Sequence, residues 1–265
     1  MIIHIGSIMN SFQILFRTHT WNETAQKNYE QLQKSSNHEI AIIYDNTSDP
    51  GLTIYQEFPH LKNYQIYFHS IQVFEQSGLY IPPKKTLWKC GDYPLFDTIL
   101  SRNLRFALML EYDLFVSQYI DDHIRTLLEG KIDLCGKKIN NKNWYWKNLY
   151  DEYCAATYLE PSNIVGGLFY PFVWASNTMA KALNDERIKQ KQTMSKFNVP
   201  SRLYPFCELF TFHTCKQKNL NFMPLQKIAN TSKMIWKREG GFIIEQLEAS
   251  KDFSDYVHPA LNSLD

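Results

Sequence analysis

The sequence of 265 residues has no excess of charge, no long apolar run and no paired cysteine motif. Its 28 basic residues nearly cancel its 27 acidic ones, and the net charge of +1 argues against a protein that holds nucleic acid through the phosphates. The five cysteines are odd in number and include no Cys-x-x-Cys pair, so neither a disulfide framework nor a zinc finger is expected. No uncharged apolar run reaches the roughly 18 residues that span a bilayer.

Signature motifs of several enzyme classes are also missing. The chain has no Gly-x-Gly-x-x-Gly and no Gly-x-x-x-x-Gly-Lys-Ser/Thr, which disfavours dinucleotide oxidoreductases and P-loop enzymes. The zinc-protease motif His-Glu-x-x-His and the serine-hydrolase motif Gly-x-Ser-x-Gly are absent as well. A site that binds a metal and a diphosphate without a glycine-rich loop is still compatible with the sequence.

The sequence does have the composition of a globular protein, with 44% apolar residues and an unusual 15% of aromatic ones. A chain of this length can bury a sizeable core, so we expect a single domain over residues 1–265. The cysteine pattern favours a reducing compartment, and residues 1–14 lack the basic start and continuous apolar centre of a secretion signal. We therefore expect a cytoplasmic protein.

The hydrophobic pattern predicts strands that alternate with helices. Residues 12–16 and 39–44 are apolar runs typical of buried strands, and Thr20 and Glu23 form a capping box that starts a helix between them. Residues 106–110 predict a central strand. Further short strands are predicted at 64–68, 71–74, 132–135 and 220–225, and further helices are predicted to begin at 92, 121 and 205. Ser176 caps another predicted helix, whose continuation at 184–198 becomes a solvated link. Residues 140–153 predict a surface loop.

Two carboxylates follow the predicted central strand directly. Glu111 and Asp113 stand two positions apart, so they project to the same side of a strand, into the crevice beyond its carboxyl end. Ligands bind in that crevice in α/β sheets, and hard cations such as Mg²⁺ or Mn²⁺ take carboxylate oxygens. The pair is therefore a candidate metal site, and two solvated acids at a strand end are the alternative.

The order of several motifs resembles a known family. The chain is similar to bacterial GT-A glycosyltransferases of surface polysaccharide or lipooligosaccharide synthesis in four segments: Arg17-Thr18-His19 at the first strand end, Asp45 at the second, Trp88-Lys89-Cys90-Gly91-Asp92-Tyr93 at a helix start, and Glu111-Tyr112-Asp113 in place of the Asp-x-Asp motif. Three later segments are similar to acceptor-side and C-terminal elements of that family: Gly166-Gly167, Pro205-Phe206-Cys207-Glu208 and His258-Pro259.

This resemblance implies an α/β fold of the GT-A type, Rossmann-like, with a mixed and mostly parallel central sheet flanked by helices. It implies a nucleotide-sugar half over about residues 1–135 and an acceptor half over about residues 136–265. The implied activity transfers a sugar from a nucleotide-sugar donor to a glycan or lipid-linked acceptor. Such an acceptor would bring the protein into peripheral contact with the inner membrane.

Residue roles also follow from the resemblance. Asp113 and His258 would hold a divalent cation, Mn²⁺ or Mg²⁺, against the two phosphates of the donor. Glu208 would be the general base that takes a proton from the acceptor hydroxyl, which favours inversion at the transferred sugar, and its apolar neighbours predict a raised pKa. Donor-binding roles fall to five residues: Arg17, Thr18, Asp45, Asp92 and Glu111.

Structural interpretations stay open for the same residues. Asp92 also fits a helix cap, Asp45 a turn residue and His258 an ordinary tail residue. Glu208 also fits the polar face of an amphipathic helix.

Two other functions are compatible with the sequence. One is a non-catalytic carbohydrate-binding protein on the same scaffold, and the other is a metal-dependent phosphoesterase that uses Glu111 and Asp113. The aromatic residues at 144–146, 150 and 153, and those between 169 and 174, fit either sugar-stacking platforms or a packed core.

Overall fold

A seven-stranded mixed sheet lies at the centre of the fold. The computed structural model describes residues 12–47, 59–83, 86–140, 145–160, 166–235, 241–249 and 254–261. In chain order the strands are β1 (Phe12–Thr18), β2 (Ile40–Asp45), β3 (Ile66–His69), β4 (Phe106–Glu111), β5 (Phe115–Val116), β6 (Leu134–Ile139), β7 (Gly167–Ser176), β8 (Phe222–Pro224), β9 (Phe242–Ile243), β10 (Tyr256–Val257) and β11 (Ala260–Leu261). The central sheet has the order β3-β2-β1-β4-β7-β6-β8, and two small sheets pair β5 with β10 and β9 with β11.

Most neighbouring strands of the central sheet are parallel. β3, β2, β1 and β4 run in one direction, β7 is antiparallel to both β4 and β6, and β8 is parallel to β6. A parallel sheet covered on both faces needs apolar residues at successive positions, and the continuous buried runs of β1, β2 and β4 meet that need. The mixed, mostly parallel sheet expected from the sequence is therefore confirmed.

Helices cover both faces of this sheet. They are α1 (Glu23–Ser35), α2 (Ile71–Gln76), α3 (Thr86–Lys89), α4 (Asp92–Ser101), α5 (Asp121–Glu129), α6 (Tyr145–Ala156), α7 (Asn177–Lys196), α8 (Cys207–Gln217) and α9 (Ile244–Ala249). Leu15 and Met109 pack in one core with residues of α4, α6, α7 and α8, whereas Ile14 and Leu108 pack in a second core with residues of α1 and α5. Across the described ranges, no helix is both long and apolar enough to cross a membrane.

Two local predictions are wrong where a helix begins. Asn22, and not Thr20, caps α1, since its side chain accepts a hydrogen bond of 3.0 Å from the backbone N–H of Ala25. Residues 71–74 are not a strand, because Ser70 caps the first turn of α2.

Helix α6 replaces much of the surface loop predicted at 140–153. Its buried side chains recur at helical spacing and face the core: Leu149, Tyr150, Tyr153 and Cys154. Residues 141–144 lie outside the described part of the chain. Three of these four side chains are tyrosine or cysteine, so the stripe is not a run of aliphatic residues, which is why a loop was expected.

Helix α7 likewise extends through most of the link predicted at 184–198. From position 183 onward, its four buried side chains follow one another at steps of three or four positions: Leu183, Arg187, Gln190 and Met194. Two of the four are polar, so an apolar pattern does not reveal the buried face.

The parallel strands bring their carboxyl ends to one edge of the sheet. Arg17 lies opposite Glu111 in the register of β1 and β4, and Asp45 ends β2. β7 starts at the same edge, directly after Gly166, which has φ 97°. A Cβ at this position would lie 2.1 Å from the carbonyl oxygen of Ile139, so the entry into β7 requires glycine.

The segment 254–261 returns to this edge as well. β10 pairs with β5, and the backbone N–H of Ala260 donates to the carbonyl oxygen of Asp113 at 2.8 Å. These contacts bring His258 beside the end of β4.

Candidate active site

A cavity of about 630 Å³ opens at the edge of the sheet where β1 and β4 end. Six of the eight predicted site residues line it: Arg17, Thr18, Glu111, Asp113, Glu208 and His258. Asp45 and Asp92 are not part of its wall. A second cavity of about 330 Å³, beside Gln31 and Glu248, contains none of the eight.

Three of the lining side chains converge on one point. Glu111, Asp113 and His258 each offer one ligand atom within 4.8 Å of the other two. Nε2 of His258 lies 3.3 Å from Oδ2 of Asp113, and Nδ1 lies 3.2 Å from the carbonyl oxygen of Ile235. A hydrogen bond donated by Nδ1 to that carbonyl leaves Nε2 to act as a ligand atom.

The chemistry of this cluster fits a divalent cation. Oδ1 of Asp113 is buried and has no hydrogen-bond partner among the described residues. An unpaired buried carboxylate oxygen is costly, and a cation at that oxygen would remove the cost. Burial lowers the pKa of His258, but the adjacent Asp113 carboxylate raises it above its ordinary value, so cation binding at Nε2 would displace a proton.

Arg17 connects Glu111 of the cluster to Asp45. Its Nη1 donates to Oε1 of Glu111 at 2.9 Å, and its Nη2 donates to Oδ2 of Asp45 at 2.8 Å. Burial lowers the pKa of Arg17, but these carboxylates more than offset the effect and hold it above its ordinary value. Oδ1 of Asp45 accepts a hydrogen bond of 2.7 Å from the hydroxyl of Thr47. Asp45 is therefore a buried partner of Arg17 outside the cavity wall, and its donor-binding role stays a prediction.

Asp92 is also removed from the cavity. Its side chain is 0% exposed and accepts hydrogen bonds from Nε of Arg187 at 2.7 Å and from Nη2 at 3.0 Å. It makes no side-chain cap on α4, which begins after Gly91. Asp92 thus forms a buried ion pair that joins α4 to α7, and its donor-binding role stays a prediction.

Glu208 is the second residue of α8 and projects into the cavity. Its Oε2 accepts a hydrogen bond of 2.7 Å from Nε1 of Trp146. Burial raises the pKa of Glu208 to about 8, although the hydrogen bond from Trp146 opposes this rise. The raised pKa expected from its apolar neighbours is therefore present.

The backbone of Gly91 approaches this site closely. A Cβ on Gly91 would lie 3.1 Å from Nη1 of Arg17 and 3.2 Å from Sγ of Cys207. Its φ of −58° is open to any residue, so a substitution here tests packing and not backbone strain.

We expect Gly91→Val to lower the free energy of unfolding by about 1–3 kcal/mol, since the added methyl groups must displace Arg17 or Cys207. Urea denaturation measures the change, and Ala155→Val, at an exposed position of α6, is the matched control. A Gly91→Val protein as stable as the control would contradict the close approach.

Sequence reasoning missed part of the cavity wall. Of the aromatic residues left open between sugar stacking and a packed core, Trp146, Phe169 and Tyr170 line the cavity. Phe169 and Tyr170 also belong to the buried core, as do four that do not line the cavity: Tyr150, Tyr153, Phe172 and Trp174. His19 and Tyr112 also line it, with their rings edge-on at a centroid distance of 5.1 Å. Both residues lie inside motifs that carry the family resemblance, and this position is the one signal by which the sequence could have placed them in the cavity wall.

Comparisons with known proteins place the fold. The galactosyltransferase LgtC, solved with donor and acceptor sugar analogs, superposes on 95% of this chain and 87% of its own, with a TM-score of 0.51 and 10% identity. Mouse xyloside xylosyltransferase 1, in its apo form, covers 93% of this chain and 96% of its own, with a TM-score of 0.49 and 10% identity. No family model matches the chain, and no curated protein matches its sequence.

The class defined by the fold is therefore the α/β, Rossmann-like GT-A architecture, as the resemblance implied. At 10% identity, the likeness to LgtC shows this fold alone.

Proposed function

We propose that this chain is a metal-assisted glycosyltransferase of bacterial cell-surface polysaccharide synthesis. It would move a sugar from a nucleotide-sugar donor to a glycan or lipid-linked acceptor. One observation carries the proposal: a cluster with an unpaired buried carboxylate oxygen, on Asp113, shares one cavity with a carboxylate whose pKa is near 8, on Glu208. The GT-A fold supports it, since this cavity lies where ligands bind in α/β sheets.

In this proposal, Asp113 and His258 would hold Mn²⁺ or Mg²⁺ beside the bound donor. A bound cation stabilises the negative charge that develops on the leaving nucleoside diphosphate. Glu111 is ion-paired with Arg17, so the guanidinium holds this carboxylate in place within the cluster. Arg17 and Thr18 line the same wall and would contact the donor.

Glu208 supplies the other half of the chemistry. Its carboxylate would accept the proton of the acceptor hydroxyl as that oxygen attacks the sugar. Burial makes the carboxylate a stronger base, and a pKa near the working pH suits proton transfer. A base on the acceptor side favours a single displacement with inversion.

Donor binding provides the first test. Titration calorimetry with UDP-, GDP- and CMP-sugars should show one donor that binds only with Mn²⁺ or Mg²⁺. Asp113→Asn keeps the shape but removes the charge, and we expect it to weaken cation-dependent binding by at least about 10-fold, since loss of even an outer partner of a metal ligand costs that much. Asp122→Asn makes the same change at an exposed ion pair on α5 and should bind like the parent.

Each alternative function predicts a different result. Glycan binding that Asp113→Asn leaves unchanged, without any nucleotide-sugar binding, would indicate a carbohydrate-binding protein. Hydrolysis of a generic phosphodiester without an acceptor would indicate a phosphoesterase. Either result would replace the proposal.

A further inference from the structure

The indole of Trp146 contacts Glu208 on one side and an aromatic stack on the other. Nε1 of Trp146 donates to Oε2 of Glu208 at 2.7 Å. The indole ring stacks on Phe206 with a centroid distance of 3.6 Å and an interplanar angle of 17°. The N–H edge of the indole thus contacts the Glu208 carboxylate, and one face of the ring contacts Phe206, which directly precedes α8.

Other contacts hold this stack in place. Nζ of Lys89 lies 5.3 Å from the ring centroid of Phe206 and donates to the carbonyl oxygens of Ser201 and Arg202, at 3.0 Å each. The ring of Tyr145 packs edge-on against Trp146 at 4.8 Å. A rotation of the indole away from Glu208 would give up these ring contacts together with the hydrogen bond.

We propose that Trp146 is a positioning residue, which fixes the orientation of the Glu208 carboxylate in the cavity and favours its charged form. This proposal rests on the proposed function of Glu208 as the base. An indole N–H is only a donor, and the carboxylate oxygen of Glu208 accepts its hydrogen bond. The indole is neutral, so it adds no charge to the site. It therefore offsets part of the cost of burying the carboxylate and leaves the charge of the metal cluster unchanged.

The other groups that face Glu208 act in both directions. Glu111 raises the pKa of Glu208, and His258 lowers it. The backbone N–H of Tyr170 is a second neutral donor, and it lowers the pKa as Trp146 does. Burial raises the pKa of the neighbouring Cys207 thiol well above its ordinary value, so this side chain stays neutral. Trp146 is an uncharged donor to Glu208, so it can be replaced without a change of charge.

Trp146→Phe tests the proposal through the pH profile. Phenylalanine keeps a ring to stack on Phe206 but lacks the N–H, so the carboxylate loses a donor and its pKa rises. We expect the midpoint of the transfer rate against pH to move up by about one unit, with a lower rate at pH 7 that partly recovers at higher pH. Tyr145→Phe removes only a hydroxyl from the adjacent ring and should keep the midpoint of the parent.

A second measurement does not depend on activity. The indole ¹⁵N–H resonance of Trp146, assigned by its loss in Trp146→Phe, should shift with pH with a midpoint near 8, the pKa of Glu208. In Glu208→Gln this shift should be absent. An indole resonance that does not respond to pH, or a Trp146→Phe profile that coincides with that of Tyr145→Phe, would overturn the proposal. If no nucleotide sugar supports transfer, the proposed function fails, and the resonance still decides whether Trp146 reports on Glu208.

Discussion

Replacing Glu208 with glutamine is expected to lower kcat by about 10²- to 10⁴-fold, the usual contribution of a general base. The amide has the shape of the carboxylate but cannot accept the proton of the acceptor hydroxyl. Donor affinity should change little, because the cation cluster and Arg17 are untouched. Steady-state rates at saturating donor and acceptor measure the effect, and Glu129→Gln, at an exposed position of α5, is the matched control.

The transfer rate should depend on pH through the ionisation of Glu208. Burial raises the pKa of Glu208 to about 8, and only the charged form accepts a proton. The rate of the parent protein should therefore rise with pH through a midpoint near 8 and level off above it. Glu208→Gln should lose that midpoint. A variant that keeps the profile and the rate of the parent would show that another group is the base, or that transfer proceeds without one.

The parts of the fold that could be predicted are those that depend on neighbouring residues. Residues 12–16, 39–44 and 106–110 form strands because continuous apolar runs suit a sheet buried on both faces, and the structure has β1, β2 and β4 there. The acid pair at 111 and 113 could be placed for the same reason, since it follows one of these strands directly. Side chains at the end of a buried strand have a predictable position even when their role is unknown.

The parts that could not be predicted depend on partners far away in the chain. A carboxylate shows its charge in the sequence but not its partner: Asp92 pairs with Arg187, 95 positions away, and Asp45 with Arg17, 28 positions away. The resemblance assigns both acids to the donor site because each belongs to one of the segments that carry it. The indole contact of Glu208 spans 62 positions and could not be foreseen for the same reason.

Three distant segments therefore build the site. The parallel strands supply Arg17 and Glu111, the C-terminal segment supplies His258, and α8 supplies Glu208. Each segment is held by buried polar contacts as well as by apolar packing. The buried pair of Arg187 and Asp92 has the largest expected effect among these contacts.

We expect Arg187→Met to lower the free energy of unfolding by about 3–5 kcal/mol, since it leaves the carboxylate of Asp92 buried without a counter-charge. Arg187 and Asp92 are both 0% exposed. The guanidinium also donates to Oε1 of Gln190 at 2.9 Å and to the carbonyl oxygen of Pro205 at 3.0 Å, and it lies 4.0 Å from the ring centroid of Phe210. Urea denaturation at pH 7 measures the loss, and Arg125→Met, at the exposed ion pair on α5, is the control.

A double variant separates the cost of an unpaired charge from the loss of packing. Asp92→Leu combined with Arg187→Met removes both charges and fills the space with apolar atoms, so it should recover a large part of the stability lost in Arg187→Met. Arg187 donates to the carbonyl oxygen of Pro205, which lies just before α8. The single variant should therefore also loosen the start of the helix that carries Glu208. If Arg187→Met were no less stable than its control, the pair would not hold α4, α7 and the start of α8 together. If the double variant were no more stable than Arg187→Met, the loss would come from packing and not from the unpaired carboxylate.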